Sequence, residues 1–205
     1  MADAAYATPE HELDRGTLIL RGALLLGSGG VLAALARPAA AADIPDGDLA
    51  YLRLLIAVEL LKVDYGDRAS AGAALRPPAK GFVRRVVAHD KRHYTGLAAL
   101  LTNAGQTPAT GDDVDFSYPR NSYATEASTA KLGRKLSTLA TGAYLGALEN
   151  VQTPQLRLPL AQIAANEAQQ AGAFGQLIGG HVVGSAFAPA LQIDAVSEAL
   201  DEYES

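Results

Sequence analysis

Apolar residues recur along four stretches of the chain at a spacing of about 3.5 residues, the mark of amphipathic helices. The first runs from about Asp48 to Arg68, behind the turn-forming Pro45, Asp46 and Gly47. The second follows the helix-opposing Arg76-Pro77-Pro78, spans about Lys80 to Asn103, and stops at Gly105 and Pro108. The third covers about Tyr123 to Asn150, with Ser122 and Thr125 as candidate caps. The fourth covers about Pro154 to Ile178 and ends at Gly179 and Gly180. The closing "AFAPALQIDAVSEALDEYES" reads as an extended piece and a short acidic helix. Strand-like alternation is scarce, so the expected class is all-α.

The connections constrain how these helices pack. The first and second, and the third and fourth, are joined by short linkers, which suit antiparallel neighbours. Between the second and third lie about 20 residues without periodicity, "GQTPATGDDVDFSYPRNSY". A loop that long has a purpose if it runs the length of a bundle: a helix of about 20 residues is about 30 Å long, and about 20 extended residues span up to about 66 Å. Two antiparallel hairpins joined by one long crossover form a ferritin-like four-helix bundle.

Polar residues interrupt three of the apolar stripes. In the second helix the stripe Val83, Val86/Val87, Leu97, Leu100/Leu101 passes through Asp90 and His93/Tyr94. In the fourth it passes from Leu160 and Ile163 through Glu167 and Gln170 to Phe174, and in the first from Leu52 and Leu55/Ile56 through Glu59 to Lys62/Val63. A buried carboxylate is costly unless paired, protonated or metal-bound. Three on separate helices, with a histidine one turn from one of them, point to a shared polar centre. Oxygen and imidazole donors suit iron or manganese, with zinc an alternative. Lys62 offers a second solution, since an ammonium there could neutralise the carboxylates without metal. His89 sits off the stripe and His181 in a glycine-rich turn; Tyr65, Tyr94 and Tyr144 read as packing residues. The small face Gly133, Ser137, Ala140 reads as close helix packing, and Arg84, Arg85, Lys91 and Arg92 as a solvated face.

Composition narrows the chemistry. The chain has no cysteine, which excludes disulfides, thiolate nucleophiles, iron–sulfur clusters and lipoprotein anchoring. A net charge of −5 without a basic cluster gives no electrostatic footprint for nucleic acid. Neither a G-x-S-x-G elbow nor a P-loop is present. Residues 1–42 read as an export signal: the apolar Gly22–Ala36 is short and glycine-rich, and Ala40-x-Ala42 fits a cleavage site before Asp43. "LDRGTLILRG" resembles a twin-arginine signal with Gly16 in place of one arginine, although Glu10, Glu12 and Asp14 are unusual there. The alternative is a retained N-terminal membrane anchor. The expected exported domain, residues 43–205, has no integral membrane span and leaves room for a protein partner or self-association.

The residues of that domain resemble the exported bacterial ferritin-like domain family of the desiccation-related protein type. "LRLLIAVELLKVDY" resembles its first helix, "AHDKRHYTGL" its second-helix Glu-x-x-His, "GAYLGAL" its third-helix Ala-Tyr-x-Gly and "ANEAQQAGAF" its fourth-helix Glu-Ala-x-His, while "SAFAPALQIDAVSEAL" resembles the tail that follows. The resemblance implies metal ligands at Glu59, Asp90, His93 and Glu167. It also marks departures: Asp90 stands where the family has Glu, Ser137 replaces the third-helix acid, and Gln170 replaces the fourth-helix histidine. Glu126 and Glu149 lie about three turns from Ser137 and do not replace it.

Three functions follow. The preferred one is a non-enzymatic ferritin-like protein with a degenerate carboxylate/His centre, stress- or desiccation-related as the resemblance implies, and holding no cofactor if that centre is degenerate. The second is a metalloprotein with a reduced mono- or dinuclear Fe or Mn site acting on peroxide or dioxygen. The third is a structural or interaction module.

Overall fold

The computed structural model describes residues 44–204; the expected export signal, residues 1–42, lies outside the described residues. Helix α1 spans Asp46–Ala71, α2 Pro77–Asn103, α3 Glu126–Asn150, α4 Pro154–Leu177 and α5 Ile193–Asp201. Each boundary has a local cause. Asp46 and Asp48 place negative charge at the positive end of α1. Helix α2 starts at Pro77 rather than near Lys80, because a proline in the first turn forfeits only an N–H that has no helical partner. Thr125 caps α3 and exchanges hydrogen bonds with Ser128, which sets the start three residues after Tyr123. Gly105 and Gly179 take left-handed backbone after α2 and α4, with φ of 72° and 68°.

Side-chain pairs fix the directions. Glu59 faces His93, Lys62 faces Asp90 and Gly66 faces Val87, so α1 and α2 run antiparallel. Glu59 meets Tyr144 and Tyr65 meets Thr129, so α1 and α3 do too. Asp90 meets Gln170 and His93 meets Glu167, so α2 and α4 are antiparallel as well. Helices α2 and α3 are therefore parallel, and Arg76 N, just before α2, donates to Glu126 Oε2 of α3 at 2.8 Å. The crossover 104–125 must return the length of the bundle, as its length implied.

The crossover is pinned along its course. Tyr94 donates to Ala109 O at 3.0 Å, Arg68 to Phe116 O at 3.0 Å, and Tyr118 to Asp64 Oδ2 at 2.8 Å. Ser117 N donates to Tyr203 O at 2.7 Å, next to a single bridge between Phe116 and Glu204, so the end of the chain clasps the crossover. The core is filled by Leu52, Leu55, Ile56, Leu61, Leu136 and Leu160, each at most 1% exposed. Gly133 of α3 lies under the rings of Tyr65 and Phe174, where a Cβ would stand 2.6 Å from Phe174. The small face of α3 is thus a close-packing surface.

Candidate metal centre

Three helices each project an i, i+3 pair into the middle of the bundle. Helix α1 supplies Glu59 and Lys62, α2 Asp90 and His93, and α4 Glu167 and Gln170; α3 adds Tyr144. An i, i+3 spacing brings both members to one face, and apolar residues on either side of each pair turn that face inward. Glu59, Asp90, Glu167 and Ser137 are 0% exposed, Lys62 2% and Gln170 4%. The His93 side chain keeps 13% of its surface open. The four residues expected as ligands do converge: one donor atom from each of Glu59, Asp90, His93 and Glu167 lies within 4.8 Å of the others.

Two kinds of contact organise the cluster. On one side Lys62 Nζ donates to Asp90 Oδ1 at 3.0 Å, to Gln170 Oε1 at 3.1 Å, and to Glu167 Oε2. Gln170 Nε2 donates to the same Asp90 oxygen at 3.0 Å and to Asn166 Oδ1 at 2.9 Å. On the other side Tyr144 Oη donates to Glu59 Oε1 at 2.5 Å. His93 Nδ1 stands 3.3 Å from Glu167 Oε1 and 3.5 Å from Glu59 Oε1, without an aligned hydrogen bond to either.

The electrostatics follow from this crowding. Burial disfavours a charged imidazole, but Glu59 and Glu167 outweigh it and push His93 up to about 10. Burial likewise opposes the Lys62 ammonium, and Glu167, Asp90 and Glu59 hold its pKa above the ordinary lysine range. Burial raises the Asp90 carboxyl, with Glu167 adding to the rise and Lys62 opposing it. Burial and the Glu59 charge raise the Tyr144 phenol, so it stays a neutral donor.

What is left unpaired indicates what the cluster suits. Glu59 Oε2, Asp90 Oδ2, His93 Nδ1 and Glu167 Oε1 are buried without a hydrogen-bond partner. These four atoms come from the four candidate ligands. Unsatisfied buried polar atoms are few in folded proteins and call for an explanation. Donors about 2.1 Å from one ion lie at most about 4.2 Å apart, and His93 Nδ1 stands 3.3 Å from Glu167 Oε1, 3.5 Å from Glu59 Oε1 and 3.9 Å from Asp90 Oδ1. Three carboxylates and an imidazole match iron, manganese or zinc.

Ser137 Oγ is also buried and unpaired, and no acid from α3 joins the cluster among the described residues. Tyr144 was expected as packing, yet its hydroxyl belongs to the centre. Its spacing held the signal, since it lies two turns after Ser137 on the same helix face. Lys62, rather than Val63, carries the inward position on α1.

The model of the ferritin-like domain family matches residues 47–180, and the chain belongs to that family. A conserved hypothetical protein from Mycobacterium tuberculosis, known from a crystal structure, is similar in fold with a TM-score of 0.56. The two are 19% identical, over 69% of this chain and 97% of that one. No curated protein matches the chain.

Proposed function

We propose that this protein is a non-enzymatic metal binder that holds one divalent transition metal, iron or manganese, between Glu59, Asp90, His93 and Glu167. The observation that carries the reading is the convergence of one donor atom from each of those residues to within 4.8 Å of the others, with Glu59 Oε2, Asp90 Oδ2, His93 Nδ1 and Glu167 Oε1 lacking an aligned hydrogen bond. Lys62 takes the place of a second ion. It sits against Asp90, Glu167 and Gln170, on the side where Gln170 replaces a ligating histidine. Charge supports the same count: three carboxylates and one ammonium leave −2, which one divalent ion beside a neutral His93 cancels. A bound ion would supply Lewis acidity at its open positions. The chain's own contribution is to orient the donors. Tyr144 fixes Glu59, while Lys62 and Gln170 fix Asp90, and these outer contacts set ligand geometry as well as charge. Dinuclear turnover of peroxide or dioxygen would need the ligands that Ser137 and Gln170 do not provide.

A second reading is a core closed by ion pairs alone, and the three contacts of Lys62 favour it. Metal analysis of protein produced with iron and manganese decides between them. One equivalent, lost in Glu59→Ala and His93→Ala variants that remain folded, is the expected result. No metal after reconstitution, or two equivalents, sinks the proposal. Export of residues 43–205 belongs to the proposal too, supported by the apolar run Gly22–Ala36 and the small residues before Asp43. N-terminal sequencing of secreted material beginning elsewhere than residue 43 would overturn it.

A further inference from the structure

Residues 178–192, between α4 and α5, cross the outer faces of α3 and α4 as a strap. The strap is fastened at two places. Leu191 N donates to Gly142 O at 2.9 Å, and the Leu191 carbonyl rests on Gly146. At the other end Gly180 N donates to Gly175 O at 2.9 Å, and Val182 O lies where a Gly172 Cβ would stand 2.8 Å away. Glycines at these positions let the backbone lie directly on the helices.

Between the fastenings a cavity of about 200 Å³ remains. Arg134, Thr138 and Thr141 of α3, Ala168 and Ala171 of α4 and Ser185 of the strap line it, and no acid does. None of these residues belongs to the carboxylate–histidine centre. Arg134 is half-buried, with its guanidinium packed beside Gly175 and Gly180. Among the described residues it makes no ion pair or hydrogen bond. A guanidinium carries five donors in a planar fork that matches a carboxylate, and the Arg134 fork, part-buried and without a protein acceptor among those residues, is free to take one. The Thr141 and Ser185 hydroxyls donate to Ser137 O and Phe187 O, each at 2.8 Å, which leaves Thr138 as the further hydroxyl donor, and the two alanine methyls form an apolar wall. The volume lies below the roughly 300–1,000 Å³ of pockets for larger ligands.

We propose that this cavity binds a small organic carboxylate, its carboxyl group on Arg134 and its short apolar body against Ala168 and Ala171. The probe is butyrate, titrated into the full chain and followed through the backbone amides of Gly172, Gly184 and Ser185 by NMR. Saturable shifts with a dissociation constant of about 1–10 mM are expected for a ligand of this size. Arg134→Gln should weaken binding by about tenfold or more, as loss of a bidentate charged pair implies. Ala171→Leu, which fills the cavity and keeps the charge, should abolish it with the melting temperature little changed. Equal shifts with butyramide, unchanged binding in either variant, or no response to butyrate would overturn the site. Tighter binding of inorganic phosphate would overturn its carboxylate class.

Discussion

Tyr144 on α3 donates its hydroxyl hydrogen to Glu59 Oε1 on α1 at 2.5 Å, and neither side chain has any surface in water. This bond is the polar contribution of α3 to the centre, since the buried Ser137 hydroxyl on the same face has no hydrogen-bond partner among the described residues. Tyr144→Phe removes the donor and leaves a fully buried carboxylate oxygen unpaired. The expected loss is about 1–3 kcal/mol of stability, read as a lowered denaturant midpoint with an unchanged slope. Glu59 should also hold metal less tightly in this variant, since its orientation depends on Tyr144.

Lys62→Met keeps the stem of the side chain and deletes its charge. Asp90 and Glu167 then keep only His93 as a counter-charge, and breaking a buried ion pair from one side costs about 3–5 kcal/mol. The loss should shrink in acid, where the carboxylates take up protons. A urea-unfolding series from pH 4 to pH 8 checks this. A uniform loss across that series would mean that Lys62 acts through packing alone.

His93, pushed up to about 10 in the folded chain, has an ordinary value of 6.5 when unfolded. A raised pKa gives stability that is complete below about pH 6.5 and is lost as the pH climbs towards about 10. The metal-free protein should therefore lose on the order of 1–4 kcal/mol across that window, and His93→Gln should flatten the profile. Metal uptake runs the other way. It needs a neutral imidazole, so affinity should rise with pH and protons should be released on binding. Calorimetric titration in buffers of different ionisation enthalpy measures that release.

Asp48, 1% exposed, accepts hydrogen bonds from Gln152 N at 2.9 Å and Thr153 N at 2.8 Å, tying the start of α1 to the start of α4. Burial alone would raise its carboxyl; the bonds from Thr153 and Gln152 prevail and hold it below the usual range. A lowered pKa gives stability present above the unfolded value and lost as the pH falls through the folded one. Asp48→Asn replaces a charged acceptor of two N–H bonds by a neutral one and should cost about 1–2 kcal/mol near neutrality, and the difference from the parent should fade below about pH 4. Parallel thermal melts at the two pH values measure it.

Restoring the missing ligands tests Lys62 as a stand-in for the second ion. The triple variant Lys62→Glu, Ser137→Glu, Gln170→His should raise the metal content from one equivalent to two. A content that stays at one would show that the close packing of α3, seen at Gly133, closes that side to an ion.

The sequence carried the inward direction of Glu59, Asp90 and Glu167, because a 3.6-residue repeat leaves a residue on an apolar stripe little choice of face. The crossover was legible too, since its length made sense only along the bundle. Tyr144 was not legible, because a tyrosine among alanines and leucines looks like packing until the partner of its hydroxyl is known. Lys62 was ambiguous for another reason. A four-carbon stem reaches inward or snorkels outward from nearly the same backbone position, and only the neighbouring helices decide. The strap has no periodicity at all. Its signal lay in the helices beneath it, where Gly142/Gly146 and Gly172/Gly175 mark thin spots one turn apart.

The ammonium of Lys62 differs from any ion in one respect: it is covalently part of the chain. It cannot be chelated, oxidised, exchanged for a competing metal or withheld by scarcity. Part of the counter-charge for the buried acids is thus encoded in the gene and arrives with every copy of the chain. The bundle can close around this ammonium, and the proposed ion would be an addition to a finished fold rather than a condition for it.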